Sequence, residues 1–274
     1  MNDFPISSQS PTCAPIGIFD SGVGGLSVLK AIHAMLPNEH LIYVADAAYA
    51  PYGDKAPGDI LARSKFIVDY LVQHKVKAIV IACNTASAIA AKELRQAVDV
   101  PLIAIEPAIK PAIAASGNKV IGVLATKNTI ASAAFARLCD KYADGAKLIV
   151  QACPGLVEQI EVGQFSSPTT LVLLREYLKP IMAAKADTLV LGCTHYPFLI
   201  KQLREIVGTG VEIIEPSQAV ARELANRLNL TSAQRLFPAT AEIKFLSTGK
   251  LDIANHVFTP LWGRALQVEA LASI

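Results

Sequence analysis

The strongest constraint on this chain is an alternation. Short, continuously apolar runs take turns with longer segments whose apolar residues recur at helical spacing. The runs IGIF (16–19), LIYVA (41–45), AIVIA (78–82), LIAI (102–105), VIGVLA (120–125), KLIVQA (147–152), TLVLG (188–192), VEIIE (211–215) and KFLST (244–248) have the length and β-branched content of buried strands. Between them lie helical stripes, such as Leu26, Leu29, Ile32 and Leu36 before Pro37, or Ile60, Leu61, Ile67, Val68, Leu71 and Val72. Further helices are expected up to Val98, over 132–142, near 155–162, and over 169–184, 198–207 and 218–229. Strands without polar alternation are covered on both faces, the condition of a parallel sheet flanked by helices. The expected class is α/β, and such folds collect ligands at the carboxyl ends of their strands.

The chain has 274 residues, enough for two domains, and 52% of them are hydrophobic, enough for large cores. An internal echo points to two related halves. KAIVIACNTASA (77–88) matches DTLVLGCTHYPF (187–198) in pattern, and IGIFDSGVGGLS (16–27) matches IGVLATKNTIAS (121–132). With 18% charged residues, a net charge of +2 and no basic run, neither nucleic acid nor an anionic membrane is expected as a partner. The first fifteen residues carry no positive charge and no apolar block, so they do not read as a secretory signal. A cytoplasmic location is expected. The five cysteines, Cys13, Cys83, Cys139, Cys153 and Cys193, are odd in number and show no metal-ligand spacing. Free thiols are expected, and no metal.

Two of these thiols stand out. ACNTA and GCTHYP each place a cysteine at the carboxyl end of a strand and before a helix start, where the helix field is expected to lower its pKa. Asn84, Thr85 and Thr194 supply polar neighbours. A lone cysteine at such a place is usually a small buried hydrophobe, but two in matching contexts ask for a shared explanation. His195 follows Cys193 closely, as an acid/base group, an orienting group or a helix-start residue. GIFDSGVGG fits neither a dinucleotide nor a Walker loop. It reads either as a site for a small carboxylate or phosphate, or as a structural turn with Asp20 capping the next helix. YVADAAYAPYGDK (43–55) reads as a long polar loop containing Tyr52 and Gly53, of the kind that lines sites. Glu161, at a helix end, reads by itself as a solvated carboxylate.

Together, GIFDSGVGGLSVL, YVADAAYAPYG, ACNTASA, GVLAT, LGCTHYP and EPS resemble the glutamate racemase family of the aspartate/glutamate racemase superfamily. They occur in the family's order, and the likeness runs from Ile16 to about Gly249. The resemblance implies two similar α/β domains with the active site in the cleft between them. The first domain would comprise 13–110 plus 216–274, the second 111–215, and 1–12 would be an N-terminal extension. It implies Cys83 and Cys193 as the catalytic thiols, with Asp20 beside Cys83, and Glu161 and His195 beside Cys193, as auxiliary acid/base groups. Asp20, Ser21, Tyr52, Gly53, Asn84, Thr85, Thr126, Thr194 and His195 would bind the substrate, and Thr129 fits the same threonine turn. Ala125 stands where many members carry glycine.

The implied activity is cofactor-independent interconversion of L- and D-glutamate, supplying D-glutamate for peptidoglycan in the cell wall. The family commonly self-associates, so a homodimer is expected. Racemisation needs a proton removed from one face of Cα and returned on the other, which calls for two opposed acid/base groups. Amides and hydroxyls aimed at the substrate carboxylate would stabilise the developing charge. The rivals are an aspartate racemase or a related decarboxylase of the superfamily, a Cys-His hydrolase, and a two-lobed binding protein with no chemistry.

Overall fold

The structure is a computed structural model that describes residues 14–143, 145–230 and 241–271. The expected extension 1–12 and Cys13 lie outside the described residues. The first sheet is built from β1 (Ile16–Asp20), β2 (Leu41–Ala45), β3 (Ala78–Ile81) and β4 (Leu102–Ala104). The second contains β5 (Val120–Ala125), β6 (Lys147–Ala152), β7 (Thr188–Leu191) and β8 (Glu212–Ile214). The chain then returns to the first sheet with β9 (Ile243–Ser247) and β10 (Val268–Ala270). The strand orders are β10-β9-β2-β1-β3-β4 and β6-β5-β7-β8, and every pairing is parallel. The α/β expectation holds, with strands β1, β2, β3 and β7 buried along their full length.

Helices α1 (Leu26–Met35), α2 (Pro57–Gln73), α3 (Asn84–Ala97), α10 (Ser217–Arg227) and α11 (Leu251–Trp262) serve the first sheet. Helices α4 (Ile109–Ala115), α6 (Ala133–Tyr142), α7 (Leu156–Glu161), α8 (Pro168–Ala183) and α9 (Ile200–Val207) serve the second, and α5 (Lys127–Ala131) lies near both. Most of these bounds match the apolar periodicity. The sequence reading ended the strands at KFLST, whereas the chain adds α11 and β10 beyond it. It also passed over α4 and α5, which have seven and five residues, too short to show a period. The 43–55 loop is more ordered than expected, folding into two short 3-10 turns over Ala47–Tyr49 and Tyr52–Asp54. No helix among the described residues is long and apolar enough to cross a membrane.

The internal echo has a physical counterpart. Leu71 of α2 packs against Gly17 of β1, and Ile181 of α8 packs against Gly122 of β5. A Cβ added at Gly17 would lie 2.8 Å from Leu71 Cδ2, and one at Gly122 would lie 2.5 Å from Ile181 Cγ2. Each helix then turns through a lysine in the left-handed region, Lys75 at φ 53° and Lys185 at φ 57°. Each turn leads into the strand that ends at a cysteine. Leu71, Lys75 and Cys83 are separated from Ile181, Lys185 and Cys193 by the same number of positions. Two halves thus use one device: a helix pressed onto a strand glycine, a tight left-handed turn, and a strand delivering a thiol.

The device is testable by overpacking. Inserting a methyl group into a packed core costs about 1–3 kcal/mol. Gly122→Ala is expected at the upper end, because β-branched Ile181 yields little, and Gly17→Ala at the lower end, because the Leu71 tip can rotate. For a chain of this size each kcal/mol lowers Tm by about 2–4 °C. Gly58→Ala, near the start of α2 with nothing within 4 Å, should hold or raise Tm in the same calorimetric scan.

Candidate active site

The carboxyl ends of both sheets face each other, and the polar residues singled out above meet there in one buried cluster. Asp20 closes β1 with its carboxylate fully buried. Its Oδ1 accepts from the Gly22 N–H at 2.9 Å, and its Oδ2 accepts from Thr194 Oγ1, across the cleft, at 2.9 Å. It does not cap α1, whose first turn has no side-chain cap. Burial raises the Asp20 pKa above the usual carboxylate value, and the charge of His195 and the bonds from Gly22 and Thr194 only partly offset this.

The glycines of the 20–25 loop are there for space. A Cβ at Gly22 would lie 1.8 Å from Glu161 Oε1, and one at Gly24 would lie 2.3 Å from His195 Nδ1. Side chains of the second half therefore rest directly on this backbone. The loop also binds them: the Val23 N–H donates to Glu161 Oε1 at 2.8 Å, and Ser27 Oγ donates to the Thr194 carbonyl at 3.1 Å.

Cys83 follows β3 and is the N-cap of α3. Its Sγ accepts from the Ala86 N–H at 3.4 Å and donates to Ser21 Oγ at 3.7 Å. The expected lowering of its pKa does not hold. Burial, then the Asp20 charge, push the thiol up to about 12, and the helix amide of Ala86 only moderates the rise. Desolvation beats the helix field because the sulfur is nearly inaccessible.

Cys193 follows β7 and precedes a 3-10 turn, Tyr196–Leu199, rather than an α-helix. Its Sγ lies 3.6 Å from His195 Nδ1, and His195 Nε2 lies 2.5 Å from Glu161 Oε1. Burial disfavours a charged imidazole here. The bonds to Cys193 and Glu161, with their negative charges, outweigh burial and raise His195 well above its ordinary 6.5. Glu161, expected to be solvated on its own pattern, is the largely buried end of a Cys193–His195–Glu161 chain.

The remaining candidates line the same cleft. Asn84 is buried, and neither of its amide atoms has a hydrogen-bond partner among the described residues. An unpaired buried amide costs about 1–3 kcal/mol, and a polar ligand would satisfy it. Thr85 Oγ1 lies 2.9 Å from Thr126 Oγ1 and 3.2 Å from Thr129 Oγ1, a hydroxyl cluster spanning both halves. Gly53 packs on Thr126, where an added Cβ would meet Thr126 Cβ at 3.0 Å. Tyr52 is buried, and its hydroxyl donates to Asp46 Oδ2 at 2.5 Å. Asp46, which the sequence reading missed, also holds Arg63 through two bonds of 2.8 and 3.0 Å and accepts from Thr248 Oγ1 at 2.9 Å. Its partners lie 6, 17 and 202 positions away, so no local pattern announces it. Among the described residues, no group of three or more His, Cys, Asp or Glu is placed to hold a metal ion.

Residues 16–224 match the family described as Asp/Glu/Hydantoin racemase. The chain is 46% identical to a glutamate racemase of Ectopseudomonas mendocina, over 93% of this chain and 97% of that protein. Its fold is similar to a crystal structure of a Bacillus anthracis glutamate racemase, with a TM-score of 0.85 at 30% identity, covering 95% of this chain and 98% of that one. The Francisella tularensis glutamate racemase, solved in complex with D-glutamate, gives a TM-score of 0.83 at 31% identity with the same coverage. Two α/β sheets whose carboxyl ends share a buried pair of thiols, together with these likenesses, establish that the chain belongs to the glutamate racemase family, within the Asp/Glu racemases.

Proposed function

We infer that this protein interconverts L- and D-glutamate with Cys83 and Cys193 as the two opposed acid/base groups. The observation that carries the reading is the pairing of two buried thiols at equivalent strand ends, each with its own polar escort. The bound D-glutamate of the Francisella relative supplies the substrate. One sulfur, as thiolate, takes the Cα proton, and the other, as thiol, returns one to the opposite face. One C–H bond breaks and one forms, with no net redox change and no step that calls for a cofactor. Asp20 acts on the Cys83 side, and His195 with Glu161 on the Cys193 side. Ser21, Tyr52, Gly53, Asn84, Thr85, Thr126 and Thr194 hold the substrate, with amides and hydroxyls facing the carboxylate where charge develops.

The product would feed peptidoglycan synthesis from the cytoplasm. Residues 13–110 with 216–274 would form one domain and 111–215 the other, and the protein would act as a homodimer. A Cys-His hydrolase is the one rival with a specific observation behind it, the Cys193–His195–Glu161 chain. It leaves Cys83 without a task.

The two sides are not equivalent at rest. A thiol pushed up to about 12 keeps its proton near neutrality. On the other side, the bonds to Cys193 and Glu161 raise His195 well above its ordinary 6.5. Iodoacetamide labelling of Cys83, read by peptide mass spectrometry, should therefore be slow at neutral pH and accelerate as pH rises, and fast labelling at neutral pH would overturn this shift.

Turnover in D2O should place solvent deuterium at Cα of the inverted product, read by chiral chromatography with mass detection. Retention of the original hydrogen would sink the two-thiol mechanism. Cys83→Ala and Cys193→Ala should each abolish racemisation while Cys139→Ala leaves it nearly intact. A hydrolase would lose activity only with Cys193.

Asp20→Asn should separate stability from function. The folded-state pKa of Asp20 is raised, so its ionised form weakens the fold at pH above the ordinary value of 3.8. The amide keeps the bond from Gly22 and can donate to Thr194. Its Tm relative to wild type should rise as pH increases from 4 to 8, while racemisation falls. A variant less stable than wild type at pH 8 would contradict the burial cost.

A further inference from the structure

We propose that Asn128 is the latch that holds the cleft closed, a positioning residue that acts through the Tyr52–Asp54 turn. Asn128 lies on α5, in the second half of the molecule. Its Nδ2 donates to the Tyr52 carbonyl at 3.0 Å and to the Lys55 carbonyl at 2.8 Å. Both partners are carbonyl oxygens, so only the NH2 side of the amide can face them. The two hydrogens of one amide group thus span one short turn of the opposite half.

The turn it grips is not loose. At its start the Tyr52 hydroxyl is fixed by Asp46, and Asp46 is pinned by Arg63 and Thr248. The Arg63 guanidinium is itself stacked over Tyr49, 3.9 Å from the ring centroid. Pulling on the Tyr52 carbonyl therefore moves a braced element. At the other end, Asn128 sits between Thr126 and Thr129, whose hydroxyls meet Thr85. Seating the amide on the turn brings these threonines, Gly53 and Thr85 together. Both hydrogen bonds of the Asn128 side chain go to backbone carbonyls, so it tunes closure without taking part in proton transfer.

The inference rests on the racemase reading for its kinetic consequence, but the closure itself is measurable without turnover. Asn128→Asp keeps the shape, loses both donors and turns a carboxylate toward two carbonyls. Asn128→Ala simply removes the amide. With both neutral hydrogen bonds lost, closure should weaken by a factor on the order of ten to a hundred. Substrate-free iodoacetamide labelling of both Cys83 and Cys193 should accelerate by that order, with Asn128→Asp at least as large an effect as Asn128→Ala. KM for glutamate should rise tenfold or more with kcat changed less than about twofold, since closure is a population term. Tm should stay within a few degrees.

Unchanged labelling and KM in a folded variant would overturn the latch. So would a large fall in Tm with KM and kcat degraded together, the mark of a merely structural residue. If Asn128→Asp does not fold, Asn128→Ala decides by the same two readouts. Accelerated labelling in a protein whose wild type fails to racemise glutamate would support the latch and reject the racemase reading.

Discussion

The contact on which the site depends is the seating of Glu161, His195 and Thr194 on the bare backbone of the 20–25 loop. Gly22 and Gly24 leave the space, and the Val23 amide and the Asp20 carboxylate supply the bonds. This contact draws the carboxyl ends of two separate sheets together and buries Asp20, Thr194 and His195 between them. Any side chain at Gly22 would have to push Glu161 aside, and with it the carboxylate that orients His195. The glycines of this loop therefore serve the union of the two halves more directly than they serve a ligand.

That burial sets the electrostatics. Desolvation acts on Asp20, Cys83 and His195 alike, but neighbours decide the outcome differently on the two sides. Near Cys83 the neighbour is an acid, and burial and charge act in the same direction. Near Cys193 the neighbour is an imidazole braced by Glu161, and the hydrogen bonds defeat burial. Two halves that share one backbone device thus surround their thiols with unlike groups. The symmetry lies in the backbone, in Gly17 and Gly122, Lys75 and Lys185, and the difference lies in the side chains around each sulfur.

The sequence carried much of the fold because buried parallel strands announce themselves as unbroken apolar runs. It missed α4 and α5, which are shorter than two or so turns, and it missed α11 and β10, which follow KFLST without a comparable strand run. Cys83, Cys193, Asp20 and His195 could be picked out as candidates because each lies at or just after a strand end, or close to a thiol, and the fold gathers them in one cluster. Glu161 gave no such signal: its contact with His195, 34 positions along the chain, forms only in the fold, and only the family likeness singled it out. Asp46, Arg63 and Asn128 were not legible, since their partners are brought together only by tertiary structure. The direction of the Cys83 shift was misread because a helix terminus can be seen in a sequence, whereas the depth of burial cannot.

The first sheet is finished late. Strand β9 pairs with β2 in register from Leu41↔Ile243 to Ala45↔Ser247, yet the whole second sheet is encoded between them. During synthesis the run LIYVA emerges with one edge unpaired, and that edge stays open until the second half has left the ribosome. An apolar strand with an open edge is a template for pairing with another chain. The second sheet, encoded without interruption, can complete itself first. The same interleaving that places the cleft between two halves therefore gives the chain a vulnerable interval in its folding, which ends only when β9 docks on β2.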